Sequence, residues 1–514
     1  MSYPVVNLDV NGRNGDTGYS APMGARNGVQ FRAGLKRHRR EVWIRGRRVD
    51  DVTTDPVFAK PIEHIARLYE MQHDPASRDV LTYLCPDTCL RAGTSFMPSR
   101  TVDDLRKRHE AYRLWAEATC GMLGRSPDFV NSAVLAYAEG AEIFARLGER
   151  YRDNALRYYR YVRDHDLFLT HAIVTMPVDR SKPAAQQADP FVNMGVVRET
   201  SEGLIIRGAR MLATHGPIAD EVLIYNNPRV LVPGDEPYAL VCALPMDAPG
   251  LRIICREPFD EGGRSSFDHP LATNFEEPDA LLVFDDVVVP WDRVFLHGNV
   301  GLANAAFLET PLRQHTGHQT AVRAVVKLQL AVGAAIAVAE STKSNTFLHV
   351  QQMLGECLEY IDQVKACIVR SEVEFETLPG GTICPAYWPN QTVRGIMARC
   401  YPRVIEILQT VGAGGLLMMP CAADFGSAIG ADIAKYYRGA EEMAAEARVR
   451  LFKLAWDLAG DAFGMRQVQY ERYYAGDPVR NLAGYYATYP GKDDCQRMVA
   501  RALALGADLR EAAK

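Results

Sequence analysis

Apolar positions recur at helical intervals from about residue 57 to about 162. They give way to short β-branched runs between about 172 and 297, then return to helical spacing after about 310. In TVDDLRKRHEAYRLWAEAT (101–119) a Thr cap and two acidic residues precede Leu105, Tyr112 and Trp115 at helix-like spacing. Asp128 to Leu147 and the Tyr/Arg-rich run from Glu149 to about Val162 read as further helices. The middle stretch reads GLIIRGARML, EVLIYNNPRVLV, YALVCALPM, GLRIICREPF and ALLVFDDVVVPWDRVF, punctuated by Gly and Pro in the manner of an all-β module. Beyond it, TAVRAVVKLQLAVGAAIAVAES, LHVQQMLGECLEYIDQVKACIVRSEVEFE, TVRGIMARCYPRVIEILQTV and MAAEARVRLFKLAWDLA predict long helices. Several are apolar nearly all round, which calls for a buried bundle. The expected fold is mainly α with a central β domain. A flexible arm covers 1–30, an N-terminal helical domain 31–168, a middle β domain 169–300 and a C-terminal helical bundle 301–514.

Composition narrows the class. The 514 residues are 47% hydrophobic, enough for large cores, and the net charge of −5 gives no reason to expect nucleic acid or an anionic membrane. Eleven cysteines without a repeating spacing predict reduced thiols in a cytoplasmic protein rather than a disulfide framework. The first forty residues hold no apolar signal-peptide core, and the longest apolar run, Leu330 to Ala339, falls short of the ~20 residues of a membrane span.

Candidate chemistry is sparse and dispersed. No GxGxxG follows a strand, and Walker, HExxH and GxSxG motifs are absent from the sequence, so a self-contained nicotinamide site is not expected. Cys85 and Cys89 in YLCPDTCL lack a second cysteine pair to complete a metal site, and no metal is expected. In MLGRSPDF (122–129), Ser126, Pro127 and Asp128 form a helix start, so Arg125 stands where unpaired N–H groups welcome an anion; pairing with Asp128 is the plainer alternative. His171, in LTHAIVTMPVDR, falls where helical texture turns to β texture, a favoured place for a pocket and for a proton-exchanging side chain. Thr214 in ATHG offers a hydroxyl, and LAGDAFGMR (458–466) reads as a helix end and a new turn.

Taken together and in order, these pieces resemble the oxygenase component of two-component 4-hydroxyphenylacetate 3-monooxygenases and the related pyoverdin-chromophore and chlorophenol hydroxylases. The resemblance runs through REVWIRGRRVDDVTTDPVF (40–58), GRSPDF, THAIVTMPVDR, VFDDVVVPWDRVF (283–295), RAVVKL (323–328), YYRGA (436–440) and KLAWDLAGDAFG (453–464). It implies an acyl-CoA dehydrogenase-like architecture, with helical domains on both sides of a β-barrel, and a homotetramer or homodimer. It also implies FAD, supplied reduced as FADH2 by a separate NAD(P)H-dependent flavin reductase, with O2 as co-substrate. The activity it implies is hydroxylation of a small aromatic substrate through a flavin C4a-hydroperoxide.

By the same resemblance Arg125 and His171 bind the substrate's phenolic oxygen, the catalytic pair, and position 129 supplies a third substrate contact. Here that position is Phe129 where the family motif has tyrosine, which removes one hydrogen bond and widens the expected substrates to larger phenols, aminoaryl compounds or an indole. FAD-holding positions fall on His171, Ala172, Ile173, on Pro177, Val178, Asp179 and Arg180, on Thr214, and on Gly460, Asp461, Ala462, Phe463 and Gly464.

Besides an acyl-CoA dehydrogenase-like enzyme, which would need a catalytic carboxylate facing the flavin that the sequence does not identify, two other readings compete. A 4-hydroxybutyryl-CoA dehydratase-like enzyme would bind FAD with a [4Fe–4S] cluster, for which Cys85, Cys89 and His297 are candidate ligands, but no cysteine lies between Cys255 and Cys357 to complete the set. The other is a catalytically inactive flavin-binding homologue.

Overall fold

The computed structural model describes residues 23–511 except 229. Residues 1–22, most of the expected flexible arm, lie outside the described residues. The end of that stretch is ordered, which corrects the expected boundary at 30. A helix already begins at Gly28 (Gly28–Arg37), with Asn27 and Gln30 closing a reciprocal capping box. Ahead of it, the amides of Met23 and Gly24 donate to the carbonyl of Asp164 at 2.9 Å. Arg26 is buried against the Tyr69 ring and ion-paired with Asp220 at 2.5 Å. The partners that anchor this segment are distant in sequence, so local polarity read it as an arm.

Helices Pro56–Met71, Val102–Ala118, Pro127–Glu139 and Glu149–His165 follow. Thr101 caps the second in a box with Asp104, and Leu105, Tyr112 and Trp115 are buried as their spacing predicts. One element departs from the helical expectation for 31–168. Glu41–Ile44 and Arg47–Val49 form a hairpin, and its first strand pairs in parallel with Leu251–Cys255 of the central region. These strands are only four and three residues long, too brief for an alternation to be legible in the sequence.

The central region holds two main sheets. The six-stranded one runs, in spatial order, Arg47–Val49, Glu41–Ile44, Leu251–Cys255, Asp279–Pro290, Gly203–Thr214 and Gly195–Glu199. The four-stranded one runs Val294–His297, Leu240–Pro245, Glu221–Ile224 and Leu169–Ala172. Its edge strand Leu169–Ala172 pairs in parallel with Glu221–Ile224, placing His171 opposite Leu223. This edge strand also packs against the helix Pro127–Glu139, which brings the two chemically interesting segments together.

The C-terminal bundle is built from Leu312–Glu340, Leu348–Val373, Tyr387–Gly412, Ala445–Ala459 and Ala462–Tyr473. The first of these starts well before the apolar pattern that announced it. Its polar first turns are interior because each polar side chain has a partner: His315 with Glu139 at 2.6 Å and His318 with Glu372 at 2.8 Å. Leu312–Glu340 is long and apolar enough to cross a membrane, yet 72% of its most apolar window is buried inside the molecule. Its Arg323 and Lys327 meet Glu471 in the interior at 2.9 and 2.8 Å, tying it to Ala462–Tyr473.

Candidate active site

The geometry begins at Gly124, Arg125 and Ser126, the turn into Pro127–Glu139. A Cβ at Gly124 would sit 2.4 Å from the Tyr470 ring, so only glycine lets that ring lie against the turn. The Arg125 amide donates to Glu277 Oε1 at 2.9 Å. With its backbone held there, the guanidinium lies over the Phe129 ring, Cζ 4.0 Å from the centroid. Its Nε donates to His171 Nε2 at 2.9 Å, and its Nη1 donates to the Gly124 carbonyl at 3.0 Å and to the Tyr470 hydroxyl.

No carboxylate meets the Arg125 side chain among these contacts. The alternative of pairing with Asp128 is not realised: Asp128 is buried, accepts from Ser126 Oγ at 2.5 Å and from Gln319 at 3.1 Å, and burial raises it to about 6. Ser126 occupies the N-cap position, but its hydroxyl goes to Asp128 and makes no capping bond to the backbone.

His171 is 5% exposed and has two polar neighbours, Arg125 on Nε2 and the Tyr225 hydroxyl 3.2 Å from Nδ1. Burial first, and the adjacent Arg125 cation second, hold the imidazole well below its ordinary pKa, so it is neutral at pH 7. The Phe129 ring lies 5.4 Å from the imidazole, centroid to centroid. Arg125, Phe129 and His171 thus share one dry site. A buried guanidinium that has no carboxylate partner among the described residues, beside a neutral imidazole, is suited to receive a hydroxyl, take its proton and stabilise the resulting anion.

Behind Arg125 lies a belt of buried charge. Glu277 is fully buried and pairs with Arg466 at 2.7 Å; its burial pushes the pKa up, but Arg466 and His215 outweigh that and hold it well below the carboxylate range. Asp279 accepts from Arg466 at 2.8 Å and from Arg256 at 3.1 Å and is held down to about 2 despite burial. Thr214, at the end of its strand, donates to Asp279 Oδ1 at 2.8 Å, and its carbonyl accepts from Thr170 at 2.7 Å. The strand of His171, Thr214 and the helix that starts at Ala462 are therefore clamped together.

Of the positions expected to hold FAD, 171–172, Thr214 and 462–464 fall on these elements, while Ile173 and 177–180 lie in the loop that follows Leu169–Ala172 and Gly460 and Asp461 just precede Ala462–Tyr473. Ala172 ends its strand, and the Ile173 carbonyl accepts from buried Arg210 at 3.1 Å. Pro177, Val178, Asp179 and Arg180 form a turn with Val178 exposed, closed by Asp179 accepting from the Ser181 amide at 3.0 Å. Asp461 caps the helix Ala462–Tyr473 and accepts from Arg264 at 3.0 Å; Phe463 is buried against Phe259. A Cβ at Gly464 would meet two carbonyl oxygens at 2.4 Å. Gly460, Asp461 and Ala462 line a recess of 440 Å³ with Phe259, Arg264 and Trp456.

The donor set fits an anionic dinucleotide. Arg210 is buried beside Ile173 without a carboxylate bond, and its Nε has no partner among the described residues. The Thr214 hydroxyl proton is already committed to Asp279, leaving its oxygen as an acceptor.

Sequence reasoning missed Tyr225, Tyr470, Glu277 and Arg466. For Tyr225 the sequence shows only its spacing, two residues beyond Leu223 in EVLIY; that this is the His171 face follows from the observed pairing of His171 with Leu223. The other three gave no signal, because a lone Tyr, Glu or Arg on a helix or loop looks like surface. Cys85 is buried, Cys89 is exposed, and both are free thiols, while His297 bonds Glu199 at 2.9 Å.

Known proteins match nearly the whole chain in sequence and fold. Residues 27–296 match the family described as 4-hydroxyphenylacetate 3-hydroxylase N terminal, and 303–504 its C-terminal counterpart. The 4-hydroxyphenylacetate 3-monooxygenase oxygenase component of Thermus thermophilus is 42% identical over 90% of this chain and 95% of its own. The pyoverdin chromophore biosynthetic protein PvcC of Pseudomonas aeruginosa is 32% identical over 95% of this chain and 97% of its own. A crystal structure of a 4-hydroxyphenylacetate 3-monooxygenase oxygenase component with FAD and 4-hydroxyphenylacetate superimposes with a TM-score of 0.89 at 41% identity, covering 95% of this chain and 99% of that one. The chain therefore belongs to the 4-hydroxyphenylacetate 3-hydroxylase family of flavin-dependent aromatic monooxygenases.

Proposed function

We propose that this protein is the oxygenase component of a two-component system that hydroxylates a phenol, aminoaryl compound or indole, with Arg125 and His171 as the catalytic pair. The observation that carries this is the 2.9 Å contact between Arg125 Nε and His171 Nε2 in a buried site where, among the described residues, no carboxylate bonds either side chain. Reduced FAD, delivered by a separate reductase and held by the segments 171–173, 177–180, Thr214 and 460–464, supplies the activation of O2. The chain's own residues do the rest. Arg125 holds the substrate oxygen as an anion, which makes the adjacent ring carbon a better nucleophile, and His171 takes the proton. Phe129, Tyr225 and the buried surroundings of the pair exclude water.

Supplying chemically reduced FAD, O2 and a panel of phenols tests this. Hydroxylated product is expected for at least one phenol. Peroxide alone across the panel would overturn the reading and favour a flavin-binding protein without activity.

The helix Pro478–Thr488 has no buried residue, and its Val479 and Tyr486, with Met498 and Leu503 beyond, expose large apolar surface. Such a face favours self-association, so a homotetramer or homodimer is proposed, measurable by light scattering. All eleven cysteines are free, which suits a reducing, cytoplasmic setting.

A further inference from the structure

Which nitrogen of His171 bears the proton decides whether it works as an acceptor. A guanidinium only donates, so the bond from Arg125 Nε requires a lone pair on His171 Nε2. A neutral imidazole then has its hydrogen on Nδ1, and the partner at Nδ1 is the Tyr225 hydroxyl oxygen, 3.2 Å away. Tyr225 is 3% exposed and its ring is held from three sides. It lies nearly parallel to the imidazole at 5.9 Å, with Tyr137 edge-on at 5.9 Å and Phe307 at 6.0 Å. The strand register adds to this, since Tyr225 leaves the sheet on the His171 face.

We propose that Tyr225 is a positioning residue that locks His171 in the Nδ1–H form, so that Nε2, the nitrogen facing Arg125, is the atom that takes the substrate's proton. This deepens the proposed function and rests on it. When a phenol enters between Arg125 and His171, its O–H bond breaks, an N–H bond forms at Nε2, and the electron pair stays on the oxygen beside Arg125. Nothing is oxidised or reduced in this step. The Nδ1–H remains on Tyr225 throughout.

The titratable and charged groups around the imidazole are few. Arg125 faces it from the turn before Pro127–Glu139, Tyr225 from the end of its strand, and Tyr137 stands behind Tyr225; Tyr470 and Glu277 contact Arg125 instead. With no carboxylate bonded to it among the described residues, the imidazole gains a proton only as the phenolate forms alongside. Loss of the Tyr225 hydroxyl frees the ring to place its hydrogen on Nε2, where it opposes the Arg125 donor and offers no acceptor.

The test is Tyr225→Phe in the full-length enzyme, with 4-hydroxyphenylacetate as the probe and reduced FAD supplied chemically. Expected are unchanged FAD affinity and melting temperature. Coupled hydroxylation at neutral pH should fall about tenfold, as suits the loss of one positioning hydrogen bond, and recover as pH rises and the phenol ionises unaided. The ultraviolet phenolate band of the bound substrate should move to higher pH in parallel. A loss that is equal at every pH, or no loss, overturns the assignment. His171→Ala run beside it separates the two ideas. If His171→Ala is also without effect, the function assigned to His171 falls; if only Tyr225→Phe is silent, the positioning role alone falls. Should Tyr225→Phe not fold, nitrogen-15 shifts of labelled histidine in the unaltered protein report the tautomer directly, and an Nε2–H form for His171 overturns the proposal.

Discussion

Arg125 Nε donates to His171 Nε2 at 2.9 Å although 46 residues separate the two in the chain. A turn into a helix supplies the first and a sheet-edge strand the second, and the packing of that helix on that strand makes the pair. Each leaves the other available to an incoming oxygen, because among the described residues no carboxylate bonds either side chain.

Arg125→Ala and His171→Ala are expected to keep the fold, since Glu277 is anchored by Arg466 and by the backbone amide of residue 125. Each should lower coupled product formation by about a hundredfold or more, the scale of losing an anion-stabilising donor or a general base. Product and peroxide measured side by side decide it, and hydroxylation near the unaltered rate would remove that residue from the catalytic pair.

Phe129 lies against both members of the pair, its ring 4.0 Å from Arg125 Cζ and 5.4 Å from the imidazole. Phe129→Tyr adds a hydroxyl at that edge, and one bond to a charged phenolate is worth ~1.5 kcal/mol, or roughly tenfold in kcat/KM. The gain should be seen on simple 4-hydroxyphenyl acids. An unchanged or lower rate would mean that the natural substrate fills the space the hydroxyl needs.

Arg466→Met strips the fully buried Glu277 of its ion-pair partner and leaves Asp279 with Arg256 alone. An unpaired buried charge costs about 3–5 kcal/mol, and urea denaturation should show a loss on that scale. Arg207→Met, at the half-exposed pair with Asp286, serves as the control and should change stability little. Equal effects of the two would mean that the belt behind Arg125 does not hold the site together.

Acid should weaken the fold in two adjoining windows. His318 is buried and pushed down to about 4, so the unfolded chain, at about 6.5, binds the proton more readily. Its contribution is complete above about pH 6.5 and is lost as pH falls toward 4. Glu372, buried but held to about 2 by His109 and His318, contributes fully above its ordinary value and loses that contribution as pH falls from there toward 2. Urea titrations from pH 7.5 downward should show this slope, and His318→Gln should flatten it between 6.5 and 4. An identical slope in the variant would assign the acid sensitivity to His171 and His315, two further buried histidines held below their ordinary value by burial.

Much of this protein is written locally. The Thr101 cap, the alternation in ALLVFDDVVVP and the apolar length of the bundle helices announce their elements, because period and turn chemistry act over a few residues. The hairpin Glu41–Val49 escaped notice because its strands are stabilised by pairing with a segment some 200 residues on, near Leu251. The interior placement of His315 and His318 escaped for a similar reason, since partners distant in sequence, Arg108, Glu139 and Glu372, make polar turns acceptable there.

By itself, the sequence determined the order of helical and β regions and, through its family resemblance, singled out Arg125 and His171 as the pair proposed to bind and deprotonate a phenol. Tertiary structure alone decided that Tyr225 would stand at Nδ1, that Tyr470 would close on Arg125, and that Glu277 and Arg466 would brace the turn from behind. Those relations rest on burial and on contacts between segments far apart in the chain, and a contact of that kind leaves no periodic trace in the residues that make it.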